Sequence, residues 1–280
     1  MASITAQMVR ELREKTDLPM MECKQALSET DGDGVAALDW LRKKHKGKMA
    51  ERSGRATGEG RICVHINSDR TVGAIIELQC ETTPVAKNEV FVNLADAIAE
   101  SVALGSEKTP DADKILKQPK IDEQFTTAYG QLRETMKLTR CRRVTGSYLA
   151  SYIHHDGKSG VLLALDAEPK SDPDKNVAAD LCMHSVFTDP MALDREGVPS
   201  EEVDRVRREA REIAQAENKP EQIIEKIVNG KVNAFYAERV LVEQLHIKTD
   251  EYGKQKIGEV LKQAGVNAVT DMMVMKVGGA

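Results

Sequence analysis

Histidine, cysteine, serine and paired carboxylates are where chemistry would be sought in this chain. His154 and His155 are adjacent, so on a strand their rings face opposite sides and cannot chelate one ion together. His184 follows Cys182 by two positions, the wrong helical spacing for shared ligation, and reads as a core or surface histidine. Ser147, Ser151 and Ser159 lie near the first histidines, but no G-x-S-x-G elbow accompanies them, so a hydrolase is not predicted. Asp and Glu are plentiful on solvated helix faces, with no spacing that singles out a pair. The basic run Arg42-Lys43-Lys44-His45-Lys46, followed by Gly54, Gly58 and Gly60, would suit a phosphate contact. No strand precedes those glycines, however, no Gly-Lys-Ser/Thr follows, and the next element reads as a strand. The stretch reads instead as a cationic helix C-terminus running into a linker. The five cysteines (Cys23, Cys63, Cys80, Cys141 and Cys182) contain no CxxC, which suits a reducing compartment rather than a disulfide scaffold or zinc ribbon. No catalytic residue, metal site or cofactor is predicted; the sequence reads as a binding protein.

Composition narrows what is bound. In 280 residues, 40 Lys and Arg face 45 Asp and Glu, a formal charge of -5 that excludes the basic excess of a dedicated nucleic-acid binder. Aromatic residues are 4%, too few for recognition by stacked rings. Arg10, Glu11, Arg13 and Glu14 interrupt the N-terminus before any apolar h-region, and no apolar run is long enough to span a bilayer. A cytoplasmic protein without a membrane segment is expected.

The elements that would position a binding surface are of several kinds. The first ~50 residues predict three short helices that bury their stripes on one another. Ile4, Met8, Val9 and Leu12 line the first behind an N-cap at Thr5, Met20, Cys23 and Leu27 the second after Pro19, and Val35, Leu38 and Leu41 the third after the Asp31–Gly34 turn. From Arg61 the period becomes two. A hairpin is predicted over Arg61–Leu78, then a helix carrying Phe91, Leu94, Ile98 and Val102 and another running from Ile121 to Met136. A second hairpin over Gly146–Leu165 and a helix with Val177, Leu181 and Ser185 repeat the order about 85 residues later. Val203, Val206, Ala210 and Ile213 form a narrow seam facing a partner helix that ends near Gly230, an antiparallel helical hairpin. Met272–Val277 reads as a strand closing the second sheet. The fold class is α+β.

Three segments then resemble one family. Thr16-Asp17-Leu18-Pro19-Met20-Met21-Glu22-Cys23-Lys24-Gln25-Ala26-Leu27 resembles T-G-[AV]-[GP]-M-M-[DE]-C-K-x-A-L, and Cys80-Glu81-Thr82-Thr83-Pro84-Val85-Ala86-Lys87-Asn88 resembles C-[EQ]-T-D-F-V-A-[KR]-[ND]. Lys219-Pro220-Glu221-Gln222-Ile223-Ile224-Glu225-Lys226-Ile227-Val228-Asn229-Gly230-Lys231 resembles K-P-x-x-I-x-E-K-[IM]-V-x-G-[RK]. In this order they are the signatures of bacterial elongation factor Ts, and the resemblance spans essentially the whole chain.

The resemblance implies a ubiquitin-associated-like three-helix domain with a basic linker (1–54), a core N-subdomain (55–140) and a core C-subdomain (141–280) carrying a helical hairpin at about 199–231. It implies a non-enzyme that binds elongation factor Tu, GDP-bound and nucleotide-free, and promotes GDP release by disturbing the Mg²⁺ and phosphate site. No stable nucleic-acid partner is implied, and a homodimer is left open. Arg13, Met20, Met21, Lys24 and His154 match family positions at the partner interface, Met20 more strongly than Met21, and Thr82, Thr83, Pro84 and Val85 match the loop that enters the GTPase. The family's Asp-Phe wedge is Thr83-Pro84 here, and its Glu-Asn ahead of paired arginines is Lys137-Leu138, before Arg142-Arg143. A second reading therefore stands beside the first: a Tu-binding or chaperone-like scaffold with reduced exchange.

Overall fold

The computed structural model describes residues 4–170, 172 and 176–279; the outermost residues of the expected 1–54 and 141–280 domains lie outside them. Internal packing divides the chain into two units. The first comprises the residues up to His65, Ala74–Arg143 and the residues from Met275, and the second Ile66–Gly73 and Val144–Val274.

The first unit opens with α1 (Ala6–Thr16), α2 (Met20–Glu29) and α3 (Gly34–Arg52). Local chemistry sets their starts: the Thr5 hydroxyl accepts from the Met8 amide, and the Asp33 carboxylate accepts from the amides of Val35 and Ala36. Val9, Leu12, Leu18, Cys23, Ala26, Leu27, Ala37 and Leu41 bury one another. Two expected stripe members are corrected. Met20 and Val35 stand exposed in the first turns of α2 and α3, because the inward rows begin at Cys23 and Ala37. The basic run is corrected as well. α3 continues to Arg52, so Arg42–Lys46 lie inside the helix, where Arg42 pairs with Glu123 and Lys46 with Asp122 at 2.6 Å.

The hairpin is β1 (Glu59–Ile66) and β2 (Val72–Cys80), followed by α4 (Thr83–Ala86), α5 (Glu89–Leu104), α6 (Ala112–Leu116), α7 (Pro119–Leu132) and β3 (Lys137–Thr145). The sheet order is β1-β2-β3. Phe91, Leu94, Ile98 and Val102 of α5 and Ile121, Phe125 and Tyr129 of α7 bury against it, whereas Met136 lies beyond the end of α7. β3 is not legible as a strand. Its buried residues, Leu138, Cys141 and Val144, recur every third position among arginines, and that spacing imitates a helix.

The second sheet has the order β4-β5-β6, from β4 (Tyr148–Ile153), β5 (Ser159–Leu165) and β6 (Val269–Lys276), with the closing strand where it was expected. β4 and β5 pair antiparallel from Tyr148 opposite Leu165 to Ile153 opposite Gly160. The residues Val177, Ala178, Leu181 and Cys182 of α8 (Val177–Thr188) pack into the same core. The helical hairpin is α9 (Ser200–Ala216) and α10 (Glu221–Arg239). Its seam runs through Val203, Ala210 and Ala214 rather than Ile213, which is 60% exposed, and α10 passes through Gly230 to Arg239. A 3-10 turn at Leu241–Glu243, α11 (Thr249–Tyr252) and α12 (Ile257–Gln263) lead into β6.

Candidate partner-binding surfaces

Thr82–Val85 follows the end of β2. Thr82 is extended (φ -133°, ψ 151°), but Thr83–Ala86 is one helical turn and not the extended connection that a residue before proline favours. The turn forms because Pro84 sits in its first positions, where a missing N–H costs nothing. The Ala86 amide donates to the Thr82 carbonyl at 3.1 Å and Lys87 to Thr83 at 3.3 Å, after which the Asn88 side chain caps α5. Thr82 and Pro84 are exposed, Thr83 and Val85 half-buried, and Val85 packs on the core beside buried Ala86.

Two carboxylates hold this turn. Glu134 accepts from the amides of Glu81 (3.2 Å) and Thr82 (3.0 Å) and from the Thr82 hydroxyl (2.6 Å). Glu81 accepts from the Thr135 amide at 2.8 Å and pairs with Arg55 at 3.2 Å. The amide bond from Thr135, followed by Arg55, keeps the Glu81 carboxyl below its ordinary range against a small burial penalty. Burial, reinforced by the charge of Glu134, pushes the Cys80 thiol up to about 12, so it stays protonated and donates to the Thr82 carbonyl at 3.3 Å.

On α2, Met20 is 48% and Met21 74% exposed, Lys24 of α2 is exposed as well, and so is Arg13 of α1. Both methionines face outward, which resolves the choice between them in favour of neither being core. Glu22 between them and Cys23 turns the other way. It accepts from His45 Nε2 at 3.2 Å and pairs with Arg133 at 3.1 Å and Lys44 at 3.5 Å. Burial alone would raise the Glu22 pKa, but the His45 hydrogen bond and the neighbouring cations Lys44 and Arg133 hold it low. Burial outweighs Glu22 in lowering His45, which therefore donates as a neutral imidazole.

His154 belongs to the second unit. The expected divergence of His154 and His155 does not hold. β4 ends at Ile153, so strand alternation has stopped, and the two rings lie 4.2 Å apart in the turn, with Tyr152 Oη 3.2 Å from His154 Nδ1. His184 is core, fully buried and hydrogen-bonded to Gln244 at 2.8 Å. All five cysteines are buried and free. Among the described residues no group of three or more His, Cys, Asp or Glu is arranged for a metal, and no helix is long and apolar enough to cross a membrane. Lys137 and Leu138, the second departure from the family pattern, line a half-open cavity of about 390 Å³ with Met49, Phe125 and Tyr129. Sequence reasoning missed Arg133, Glu134 and Thr135. Glu81, inside the second signature, was the one signal pointing toward them.

Residues 81–279 match the family model described as Elongation factor TS. An elongation factor Ts of Aquifex aeolicus (strain VF5) is 38% identical over 276 residues, covering 95% of this chain and 94% of the relative. An elongation factor Ts of Clostridium botulinum (strain ATCC 19397 / Type A) is 36% identical over 281 residues, covering 97% of this chain and 91% of the relative. One from Clostridium kluyveri is 38% identical over 269 residues, covering 92% and 88%.

Proposed function

The chain belongs to the elongation factor Ts family, and from that premise we propose that it is a guanine nucleotide exchange factor for elongation factor Tu in translation elongation. It binds the GTPase and does no bond chemistry of its own. Its three leading helices serve as a ubiquitin-associated-like module within the expected division 1–54, 55–140 and 141–280. Arg13, Met20, Met21 and Lys24 contact the GTPase from that module, and His154 does so from the second hairpin. The Thr82–Val85 turn enters near the Mg²⁺ and phosphate site, whose charge-assisted bonds supply much of the grip on GDP.

One observation supports this reading above the others: Pro84 projects exposed from a turn whose backbone is tied by Glu81 and Glu134. A blunt element held that firmly can push against a metal site without first yielding. Thr83-Pro84 in place of an aromatic wedge favours the scaffold with reduced exchange as the second reading.

Stopped-flow release of a fluorescent GDP from the cognate elongation factor Tu separates the two. Exchange predicts faster release at substoichiometric protein, with GTP hydrolysis at background. Binding without faster release makes the protein a scaffold, and neither binding nor release refutes both readings.

A further inference from the structure

We infer that Arg133-Glu134-Thr135 is a positioning strap that fixes the Thr82–Val85 turn to the N-terminal helices, with Glu134 as the residue that presents the turn. This rests on the exchange reading above and concerns how that site is held.

The three residues follow α7 directly, and each reaches a different element of the first unit. Arg133, the left-handed C-cap of α7 (φ 59°), pairs through its guanidinium with Glu22 of α2 at 3.1 Å, and its carbonyl accepts from Arg52 at 2.9 Å. Glu134 takes both amides and the hydroxyl of Glu81-Thr82. Thr135 donates its amide to Glu81 and its hydroxyl to the Arg52 carbonyl at 3.2 Å. A consecutive tripeptide thus joins the neighbour of Met21, the end of α3 and the start of the turn.

Thr82 shows that the strap takes precedence over local structure. It occupies the N-cap of α4, where a threonine hydroxyl ordinarily accepts from an amide of the first turn, yet it makes no capping bond. Its hydroxyl points at Glu134 instead, at 2.6 Å. Pro84 has removed one amide the hydroxyl would have capped, so the turn closes through its own backbone bonds while its N-cap is held from outside. The Glu134 side chain alone accepts all three of these bonds. Residues 81–82 and 134 are more than 50 positions apart, so the contact is tertiary and depends on the folded first unit.

The experiment titrates wild type, Glu134→Ala, Glu134→Gln and Arg133→Asn against elongation factor Tu carrying fluorescent GDP. It reads the maximal release rate and the half-saturating concentration separately, together with amide hydrogen exchange at Glu81 and Thr82. Glu134→Ala should lower the maximal rate about tenfold, since a misplaced group loses orientation before it loses affinity, and should leave the half-saturating concentration within about threefold. Glu134→Gln, which keeps one carbonyl acceptor, should recover most of the rate. Arg133→Asn, which tolerates the left-handed backbone and cuts the tie to Glu22, should raise the half-saturating concentration more than it changes the rate. Exchange at the Glu81 and Thr82 amides should rise at least ~tenfold in Glu134→Ala. A wild-type rate and unchanged amide protection in Glu134→Ala overturn the strap, as does an equal loss of rate and affinity that glutamine does not rescue. Wild-type protein without effect on GDP release overturns the exchange reading alone, and amide protection then decides the strap by itself.

Discussion

Pro84 stands where the family pattern has a large apolar ring, a small rigid ring in its place. Pro84 sits in the first turn of α4, its surface exposed and its backbone fixed near the helical φ. Pro84→Gly would leave every anchoring bond of Glu81 and Glu134 in place while freeing the turn, at an entropic cost of about 1 kcal/mol. We therefore expect Pro84→Gly to slow GDP release roughly fivefold while affinity, measured by calorimetry, changes less than twofold. Val85→Ala should reduce both, because Val85 is half-buried against the core that seats the turn. If Pro84→Gly leaves rate and affinity untouched, the turn is a passive connection. At this scale the exposed residues Thr82, Pro84, Met20 and Met21 are marked by contiguous signatures, although periodicity alone places Met20 in the core. The residues that hold them are not legible. Glu22 is fixed by Arg133 across 111 positions, and no local pattern announces such a pair.

Elements whose apolar period is unbroken, such as α5, the two hairpins and β6, follow directly from the sequence, whereas those built on buried polar groups do not. The segment from the 3-10 turn to α11 is an example, because side chains of the kind normally found on surfaces fasten it to α8. Asp180 accepts from Tyr252 Oη and from Lys248 Nζ, both at 2.7 Å, and His184 bonds Gln244 at 2.8 Å while accepting from the Ile247 amide at 3.3 Å. His246 accepts from the Lys248 amide at 3.0 Å and stacks on Tyr252 with 4.1 Å between ring centroids. Gly130 of α7 is equally silent in sequence. A Cβ there would collide with the His45 ring and stand 3.1 Å from Leu18, so only glycine lets α3 lie against α7. The histidine corner makes stability depend on pH. Burial, and then the proximity of His184, lowers His246 to about 4, and burial lowers His184 as well. The unfolded chain binds these protons from about pH 6.5 and the folded chain only at lower pH, near 4 for His246, so stability rises with pH across that interval. Denaturant unfolding at stepped pH should show about 2 kcal/mol lost to His246 between pH 7 and pH 4. His246→Phe, which keeps the stack but cannot be charged, should flatten the slope. An equal slope in that variant would assign the acid sensitivity to other groups.

For the whole molecule the governing constraint is linkage. A protein that binds elongation factor Tu more tightly without GDP must weaken GDP binding by the same factor, however its contacts are distributed between the two units. The residues proposed for contact, Arg13, Met20, Met21, Lys24, His154 and the Thr82–Val85 turn, therefore divide one coupling free energy among them, and part of it is proposed to act through the metal. How large that part is can be read by taking the metal away. Without Mg²⁺ the GTPase has already lost a portion of its charge-assisted hold on GDP, and its unaided release is faster. A turn that works mainly by disturbing the metal then has little left to add. The ratio of release rates with and without this protein should fall by about an order of magnitude in excess chelator. The half-saturating concentration should move far less, because the proposed α2 contact lies on another element than the turn. An unchanged ratio would mean that Pro84 and its neighbours act on the phosphate contacts or the base pocket and not on Mg²⁺. Reciprocity supplies the internal control. The fold by which GDP weakens this protein's affinity for elongation factor Tu must equal the fold by which the protein weakens GDP, with Mg²⁺ and without it. In that comparison Pro84→Gly should lose more of the Mg²⁺-dependent part than any substitution at Met20 or Met21, since those side chains are proposed to meet the partner from another element.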